Sequence, residues 1–148
     1  MAGPREPAPG VRWVTSPRPV LLVVEDEARN AALVQAVLGS AGYELVVVGS
    51  LAGARAWLAG HRPDLVLLDI GLPDGSGLDL ARELRATPAT SAVPILVASA
   101  RVLPEDRLAA QEAGCDAFLG KPIGPRELLE AVATHLVDAG RPSGGRRP

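Results

Sequence analysis

Short apolar segments alternate five times with amphipathic segments along this chain, and this alternation limits the folds that the chain can adopt. Each apolar segment is rich in Val, Leu and Ile, which is typical of a strand buried on both faces. Each segment that follows repeats its apolar residues at helical spacing. The predicted strands are residues 19–25, 43–48, 64–69, 93–99 and 116–121, and the predicted helices are residues 28–42, 51–60, 77–86, 104–114 and 125–140. Because parallel strands need helical crossovers, the pattern predicts an α/β domain with a five-stranded parallel sheet covered on both faces.

The two ends of the chain differ in composition from this repeating part. Residues 1–18 and 140–148 are rich in Pro, Gly and Arg, which predicts disordered tails on either side of a domain at 19–139. The formal net charge is −2, and because the tails hold six arginines, the domain itself is acidic. An acidic domain argues against sequence-independent nucleic-acid binding, which needs a basic surface.

Membrane and secreted classes are disfavoured by the apolar residues and by the cysteine count. No apolar run approaches the ~20 residues of a membrane span, and the N-terminus, MAGPREPAPGVRW, lacks the apolar core of a signal peptide. The single cysteine, Cys115, cannot form an intramolecular disulfide, which fits a reducing compartment. We therefore expect a cytoplasmic protein that does not bind membranes.

Polar side chains stand where four of the predicted strands end. Glu25 and Asp26 close the first strand, and Asp69, Ser99 and Lys121 end the third, fourth and fifth. Because the carboxyl ends of parallel strands share one edge of the sheet, where ligands bind in open α/β folds, we expect these side chains to meet. Three crowded carboxylates repel one another, and Mg²⁺, which takes oxygen ligands, would relieve that repulsion. Lys121 and Ser99 then suit a phosphoryl group, the lysine as a point charge and the serine as a hydrogen-bond donor.

Each of these residues also has an ordinary structural role open to it. Glu25 and Asp26 could cap the helix that follows them, and Lys121 could be a surface lysine. Phe118, the single Phe of the chain, is on its spacing alone a core residue rather than a switch. The combination favours the functional interpretation, because four strand ends carry mutually complementary groups.

Four sequence blocks, VLLVVEDEARN, LVLLDIGLPDGSG, VPILVASA and GCDAFLGKPI, resemble the signature blocks of the response-regulator receiver domain. The likeness covers roughly residues 19–138, and each block lies at the expected strand end in the expected order. The acidic pair followed by Asn30, together with GCDAFLGKPI, is most similar to stand-alone regulators of the cell-division type and to receivers of hybrid histidine kinases. The resemblance implies a flavodoxin-like, doubly wound (βα)5 fold with the strand order 2-1-3-4-5.

The resemblance implies that Asp69 is the phosphoacceptor and that a histidine kinase or a phosphotransfer protein supplies the phosphoryl group. It also implies a Mg²⁺ site, whose ligands are the side chains of Glu25, Asp26 and Asp69 and the backbone carbonyl of Gly71. Glu25 stands where Asp is commoner in the family, a frequent variant that keeps the carboxylate. The metal and Lys121 would stabilise charge on the transferring oxygens of a loose phosphoryl transfer.

The same family pattern implies a conformational switch. Lys121 would contact the phosphoryl group, and the hydroxyl of Ser99 would swing towards it. Phe118 occupies the aromatic switch position three residues before the lysine, and it lacks the hydroxyl of the Tyr found in some relatives. The bond between Lys121 and Pro122 is usually cis in the family. The readout is then expected on the face made by the fourth helix, fifth strand and fifth helix (α4–β5–α5), roughly residues 102–138.

The expected function is a single-domain phospho-switch rather than an enzyme that acts on a separate substrate. Only about ten residues follow the last predicted helix, far short of a DNA-binding or enzymatic domain, so we expect output through a partner protein that the sequence does not identify. The alternative is a small phosphohydrolase with an aspartyl-phosphate intermediate. Such enzymes usually carry a second Asp where Gly71 stands, which argues against this alternative. A phosphate sink without specific output stays open, whereas a degenerate receiver is disfavoured because all site groups are present.

Overall fold

The structure, a computed structural model, describes residues 18–140, and within them five main strands alternate with five α-helices. The strands are β1 (Val20–Val24), β2 (Glu44–Val48), β3 (Leu65–Asp69), β4 (Ile95–Ser99) and β5 (Ala117–Gly120). The helices are α1 (Ala28–Ser40), α2 (Leu51–Leu58), α3 (Gly77–Ala86), α4 (Pro104–Glu112) and α5 (Pro125–Gly140). Each predicted strand and helix is confirmed, with shifts of up to two residues at its ends.

The five strands form one parallel sheet in the order β2-β1-β3-β4-β5, as predicted. The register sets Asp69 beside Ala98 and Ser99 beside Gly120, so neighbouring strands end at nearly the same level. Side chains from separate strands are therefore brought to a common edge, which is the edge where doubly wound folds bind ligands.

Alternate strand residues face opposite sides of the sheet, and each side is covered by helices. On one side, residues such as Leu22, Val66 and Val97 pack with buried residues of α2, α3 and α4. On the other side, residues such as Leu21 and Leu67 pack with α1 and α5. The strands are thus buried on both faces, which is why they read as continuous apolar runs rather than as alternating ones.

Several predicted element ends extend past the observed ones for identifiable reasons. Gly42 and Gly114 have φ values of +96° and +97°, a left-handed conformation that ends a helix, so α1 stops at Ser40 and α4 at Glu112. The strand predicted from residue 93 begins at Ile95, because Pro94 has no N–H with which to join the ladder.

A short hairpin follows β3 and has no counterpart in the sequence prediction. Its two-residue strands, Gly71–Leu72 and Gly75–Ser76, pair antiparallel, and we call this segment the 71–76 hairpin. Gly75 has a φ of +146°, which favours glycine at the turn. The hairpin connects the end of β3 to the start of α3 and so lies at the functional edge of the sheet.

Arg85, near the end of α3, makes hydrogen bonds at the amino-terminal ends of the strands, away from the end where Asp69 lies. Its guanidinium donates hydrogen bonds to the carbonyls of Gly114 (2.9 Å) and Val93 (2.6 Å), and it pairs with the Asp116 carboxylate at 2.8 Å. The same carboxylate accepts a hydrogen bond from the Ile95 N–H at 2.8 Å. One side chain thus joins α3 to the beginnings of β4 and β5.

Within residues 18–140, no helix combines the length and the apolar character that crossing a bilayer requires. The tails predicted at 1–18 and 140–148 lie outside the described residues, apart from Arg18 and Gly140. The domain limits at 19 and 139 therefore stay predictions.

Candidate functional site

The carboxyl edge of the sheet gathers the polar residues that end the strands. Glu25 directly follows β1, Asp69 and Ser99 are the last residues of β3 and β4, and Lys121 directly follows β5. Glu25, Asp69 and Ser99 are each only 8% exposed. Buried polar groups need partners within the protein, because burial removes their bonds to water.

Three carboxylates lie close together at this edge. Glu25, Asp26 and Asp69 each offer an oxygen atom, and the three oxygens lie within 4.8 Å of one another. Asp26 is exposed, so the cluster is accessible from solvent. A set of carboxylate oxygens at this spacing fits a hard cation such as Mg²⁺, which binds a few carboxylates and keeps several waters.

The ammonium group of Lys121 lies between two of these carboxylates. Its Nζ donates a hydrogen bond to Oε1 of Glu25 at 2.9 Å and lies 3.2 Å from Oδ2 of Asp69. The other oxygen of Glu25, Oε2, accepts a hydrogen bond from the Glu27 backbone N–H at 3.1 Å. The bond between Lys121 and Pro122 is cis, in agreement with the resemblance. One ammonium therefore faces a cluster of three carboxylates, which leaves the cluster net negative.

Burial and neighbouring charges shift the pKa values of Asp69 and Lys121. Burial raises the pKa of the Asp69 carboxyl, the Lys121 ammonium lowers it, and the charge of Glu25 raises it, so that the pKa lies above its usual value. Burial acts to lower the pKa of Lys121, but its hydrogen bond to Glu25 and the charge of Asp69 outweigh that effect and raise it. The lysine is thus held protonated beside Asp69.

The chain that follows Asp69 folds back against it. The Gly71 N–H donates to Oδ1 of Asp69 at 3.3 Å, and the Gly77 N–H donates to the carbonyl of Ile70 at 2.8 Å. A Cβ atom added at Gly77 would overlap the backbone oxygen of Asp69. Only glycine therefore allows α3 to begin so close to Asp69. The role of the Gly71 carbonyl as a metal ligand stays a prediction.

The hydroxyl of Ser99 is engaged with the loop between β4 and α4. Its Oγ accepts a hydrogen bond from the Arg101 backbone N–H at 3.0 Å. The carbonyl of Ser99 accepts from the Lys121 N–H at 2.9 Å, so β4 and β5 stay paired up to these two residues. If the Ser99 hydroxyl turned towards Asp69, its hydrogen bond with the Arg101 N–H would break. The orientation of Ser99 is therefore coupled to the position of the loop.

Phe118 is half-buried in β5 and packs against the core on the side of α2, α3 and α4. The guanidinium carbon of Arg107, in α4, lies 4.9 Å from the centre of the ring, which is a cation–π contact. Both roles considered for Phe118, core residue and switch, are compatible with this position. The sequence gives no local signal for Arg107, because the contact joins a helix to the following strand.

Asp74 is a neighbour of the site that the sequence pattern did not single out. It lies at the turn of the 71–76 hairpin, and its carboxylate oxygens accept hydrogen bonds from the N–H groups of Leu51 (2.8 Å) and Ala52 (3.0 Å). These two hydrogen bonds lower the pKa of Asp74. The turn sequence PDG contains a signal, because Asp in a turn readily accepts from backbone N–H groups. Its partners, 22 and 23 residues away, emerge only from the tertiary structure.

A doubly wound parallel sheet with an acidic cluster and a lysine at its carboxyl edge defines a flavodoxin-like α/β domain with a charged strand-end site. The family model of the response regulator receiver domain matches residues 21–133. The chain therefore belongs to the receiver-domain family of two-component response regulators.

Two relatives and one solved structure illustrate the similarity. The KDP operon transcriptional regulatory protein KdpE of Escherichia coli K12 is 40% identical over 116 residues, which cover 78% of this chain and 50% of KdpE, so the chain spans about half the length of that relative. The polar-differentiation response regulator DivK of Brucella anthropi is 30% identical over 119 residues, which cover 80% of this chain and 97% of DivK. The receiver domain of the sensor histidine kinase PA1611 from Pseudomonas aeruginosa PAO1 matches with a TM-score of 0.75 at 31% identity, covering 81% of this chain and 98% of that domain. A magnesium ion is coordinated in the active site cleft of the PA1611 domain.

Proposed function

We propose that this chain is a phosphoryl-accepting switch, in which Asp69 takes a phosphoryl group in the presence of Mg²⁺. The observation that carries the proposal is the surroundings of Asp69. Oxygens of Glu25 and Asp26 lie within 4.8 Å of one of its oxygens, and the Lys121 ammonium lies 3.2 Å from Oδ2. A cation site and a fixed positive charge thus flank one carboxylate at the edge of the sheet. The donor is a histidine kinase or a phosphotransfer protein, and the chain works in the cytoplasm.

The residues divide the chemistry of transfer among them. An oxygen of Asp69 forms the new bond to phosphorus while the bond from phosphorus to the donor's nitrogen breaks. Mg²⁺, when bound, would stabilise charge on the transferring oxygens, and the side chains of Glu25, Asp26 and Asp69 would hold it. Lys121 is already at 3.2 Å from Asp69 and neutralises a second portion of the charge on the phosphoryl oxygens.

The chain acts on itself rather than on a separate substrate in this proposal. An aspartyl-phosphate phosphohydrolase needs an acid or base close to its nucleophile. The second residue after Asp69 is Gly71, which has no side chain for that purpose. This supports the assignment as a switch over the assignment as a phosphohydrolase.

The proposal is tested by treating the protein with a small acyl phosphate in Mg²⁺ and measuring its intact mass. We expect the mass of one phosphoryl group to be added, and we expect EDTA to prevent the addition because the carboxylate cluster then lacks its cation. A parallel assay measures hydrolysis of a phosphate monoester. Absence of any mass gain, or sustained turnover of the monoester, would contradict the proposal.

The output surface in this proposal is the α4–β5–α5 face. Among residues 18–136, the large apolar side chains that are exposed are Leu33, Val102, Leu103 and Leu108. Three of these four lie in α4 or in the loop before it, and Val102 and Leu108 are 46% and 53% exposed. Exposed apolar side chains that cluster in this way are typical of protein contact sites. The output partner in this proposal is a protein that binds this apolar surface.

Ser99→Ala should separate phosphorylation from the movement of the β4–α4 loop. In the wild type, phosphorylation should draw the hydroxyl away from the Arg101 N–H, and a hydrogen bond worth about 1 kcal/mol corresponds to roughly fivefold faster amide exchange. In the variant this bond is already missing, so exchange at residues 100–103 should not respond to the phosphodonor although Asp69 still accepts phosphate. Hydrogen exchange read by mass spectrometry measures both states.

Ser40→Ala is the matched control for this experiment. The Ser40 hydroxyl donates to the Ala36 carbonyl on α1, far in sequence from the loop, so this variant should keep the full response to phosphorylation. Phe118→Ala tests whether a change in the loop is passed on to β5. In this variant phosphorylation should still increase amide exchange at residues 100–103, but it should no longer alter amide exchange in β5. If Ser99→Ala responds as the wild type does, Ser99 does not transmit the signal.

A further inference from the structure

We infer that Asp74 is a positioning residue for the metal site, because it fastens the 71–76 hairpin to the start of α2. The inference rests on the proposed function, since it concerns Mg²⁺ binding beside Asp69. Asp74 does not belong to the carboxylate cluster, which consists of Glu25, Asp26 and Asp69. It acts through the backbone that it holds in place.

The first support is the pair of hydrogen bonds between the hairpin and α2. The carboxylate of Asp74 accepts from the N–H groups of Leu51 at 2.8 Å and Ala52 at 3.0 Å. These N–H groups belong to the first turn of α2, where donors have no partner inside the helix. The helix has a separate cap, because Oγ of Ser50 accepts from the Gly53 N–H at 3.0 Å. Asp74 therefore adds a link between two segments rather than the cap that the helix would otherwise lack.

The second support is the way the two ends of the hairpin are held. At its base, the Gly71 N–H donates to Oδ1 of Asp69 at 3.3 Å. At its turn, a Cβ atom added at Gly75 would lie 2.8 Å from Cδ1 of Leu51, so the turn is in close contact with α2. The hairpin thus reaches from Asp69 to the first residue of α2.

The third support is that the loop before α2 lies against the other side of the metal site. A Cβ atom added at Gly49 would lie 3.8 Å from Cα of Asp26 and 3.9 Å from the carbonyl oxygen of Glu25. The start of α2 is therefore a common support for Asp26 on one side and, through Asp74, for Asp69 on the other. Without Asp74 the 71–76 hairpin loses its two hydrogen bonds to α2, and metal affinity depends on such supporting contacts.

The test measures Mg²⁺ binding by titration calorimetry on the full chain without a phosphodonor. We expect Asp74→Ala to raise the dissociation constant about tenfold, the lower end of what loss of a supporting contact costs a metal site. Asp74→Asn, which keeps the size of the side chain but only one acceptor oxygen, should fall in between. Asp26→Asn should abolish binding and serves as the positive control.

Ser50→Ala is the matched control, because it removes an acceptor at the same helix start without touching the hairpin. Ser50→Ala and Asp74→Ala should both lower the midpoint of denaturant unfolding, but only the Asp74 variants should weaken Mg²⁺ binding. The inference would be overturned if both Asp74 variants had a dissociation constant within about twofold of the wild type. Such a change is well below the loss of affinity expected when a supporting contact is removed. Equal weakening in Ser50→Ala would overturn the inference as well.

Phosphate incorporation, measured on the same proteins, separates this inference from the proposed function. Normal Mg²⁺ binding with the expected Asp74 effect but no incorporation in any protein would refute the proposed function and leave the positioning role standing. Incorporation in the wild type with unaltered Mg²⁺ binding in the Asp74 variants would refute the positioning role alone. A wild type that binds no Mg²⁺ would refute both.

Discussion

Replacing Asp69 with asparagine should abolish phosphate incorporation while the protein stays folded. The amide has nearly the shape of the carboxylate but lacks the nucleophilic oxygen that forms the bond to phosphorus. In the wild type, burial raises the pKa of Asp69, the lysine lowers it and Glu25 raises it, with a net rise. The folded state therefore binds the proton of the Asp69 carboxyl more tightly than the unfolded state does. For this reason the ionisation of Asp69 reduces stability as the pH rises through the pKa of Asp69 in the folded protein. Asp69→Asn removes this destabilising charge, and its free energy of unfolding at pH 7 should be equal to or above that of the wild type.

Intact-mass measurement after treatment with an acyl phosphate and Mg²⁺ checks the loss of incorporation. Asp79→Asn is the control, because Asp79 is an exposed carboxylate in α3 that pairs with Arg82 at 2.9 Å and lies outside the acidic cluster. It should accept one phosphoryl group like the wild type. If Asp69→Asn gains the same mass as the wild type, another residue is the acceptor.

Gly77→Ala should destabilise the protein by about 3 kcal/mol or more, at or beyond the upper end of the usual cost of overpacking. The added Cβ would overlap the backbone oxygen of Asp69 and would come within 3.1 Å of Cγ of Leu68. A backbone oxygen cannot rotate away as the end of a side chain can, so the start of α3 and the end of β3 have to separate. Equilibrium unfolding in urea measures the loss, and phosphate incorporation should fall with it because Asp69 is displaced.

Gly39→Ala provides the contrasting change at a glycine inside α1. A Cβ atom there would have no neighbour within 4 Å, and alanine is favoured over glycine in a helix interior by about 0.5–1 kcal/mol. This variant should therefore be more stable than the wild type and keep full incorporation. A Gly77→Ala protein as stable as the wild type would show that α3 does not approach β3 so closely.

The strands, the helices and the residues at the strand ends could be predicted because their signal is local. The run DLVLLD predicts a strand that is buried on both faces and ends at Asp69. Gly42 and Gly114 each indicate the end of a helix. A local pattern also predicts which side chains share an edge, because the ends of parallel strands lie together. This is why the acidic cluster was predictable before any side chain was placed.

The contacts that organise the site depend on pairs that are distant in sequence. Lys121 and Glu25, which are 96 residues apart, form a hydrogen bond that periodicity cannot reveal. The 71–76 hairpin was also missed, because strands of two residues are too short to produce a periodic pattern. Ser50, which caps α2, directly precedes that helix in the sequence, whereas Asp74 lies 23 and 22 residues from the two N–H groups that it accepts from. Tertiary packing decides such partners.

The bonds of Arg85 have a consequence for interpreting natural variation in this chain. Arg85 holds α3 to the beginnings of β4 and β5, at the opposite end of the strands from Asp69. Substitutions there should lower the amount of folded protein in a cell and produce temperature-sensitive phenotypes, with normal signalling per surviving molecule. Asp69→Asn, at the other end, should leave abundance unchanged and silence each molecule. Measuring abundance alongside signalling would therefore separate loss of the Arg85 contacts from loss of the acceptor.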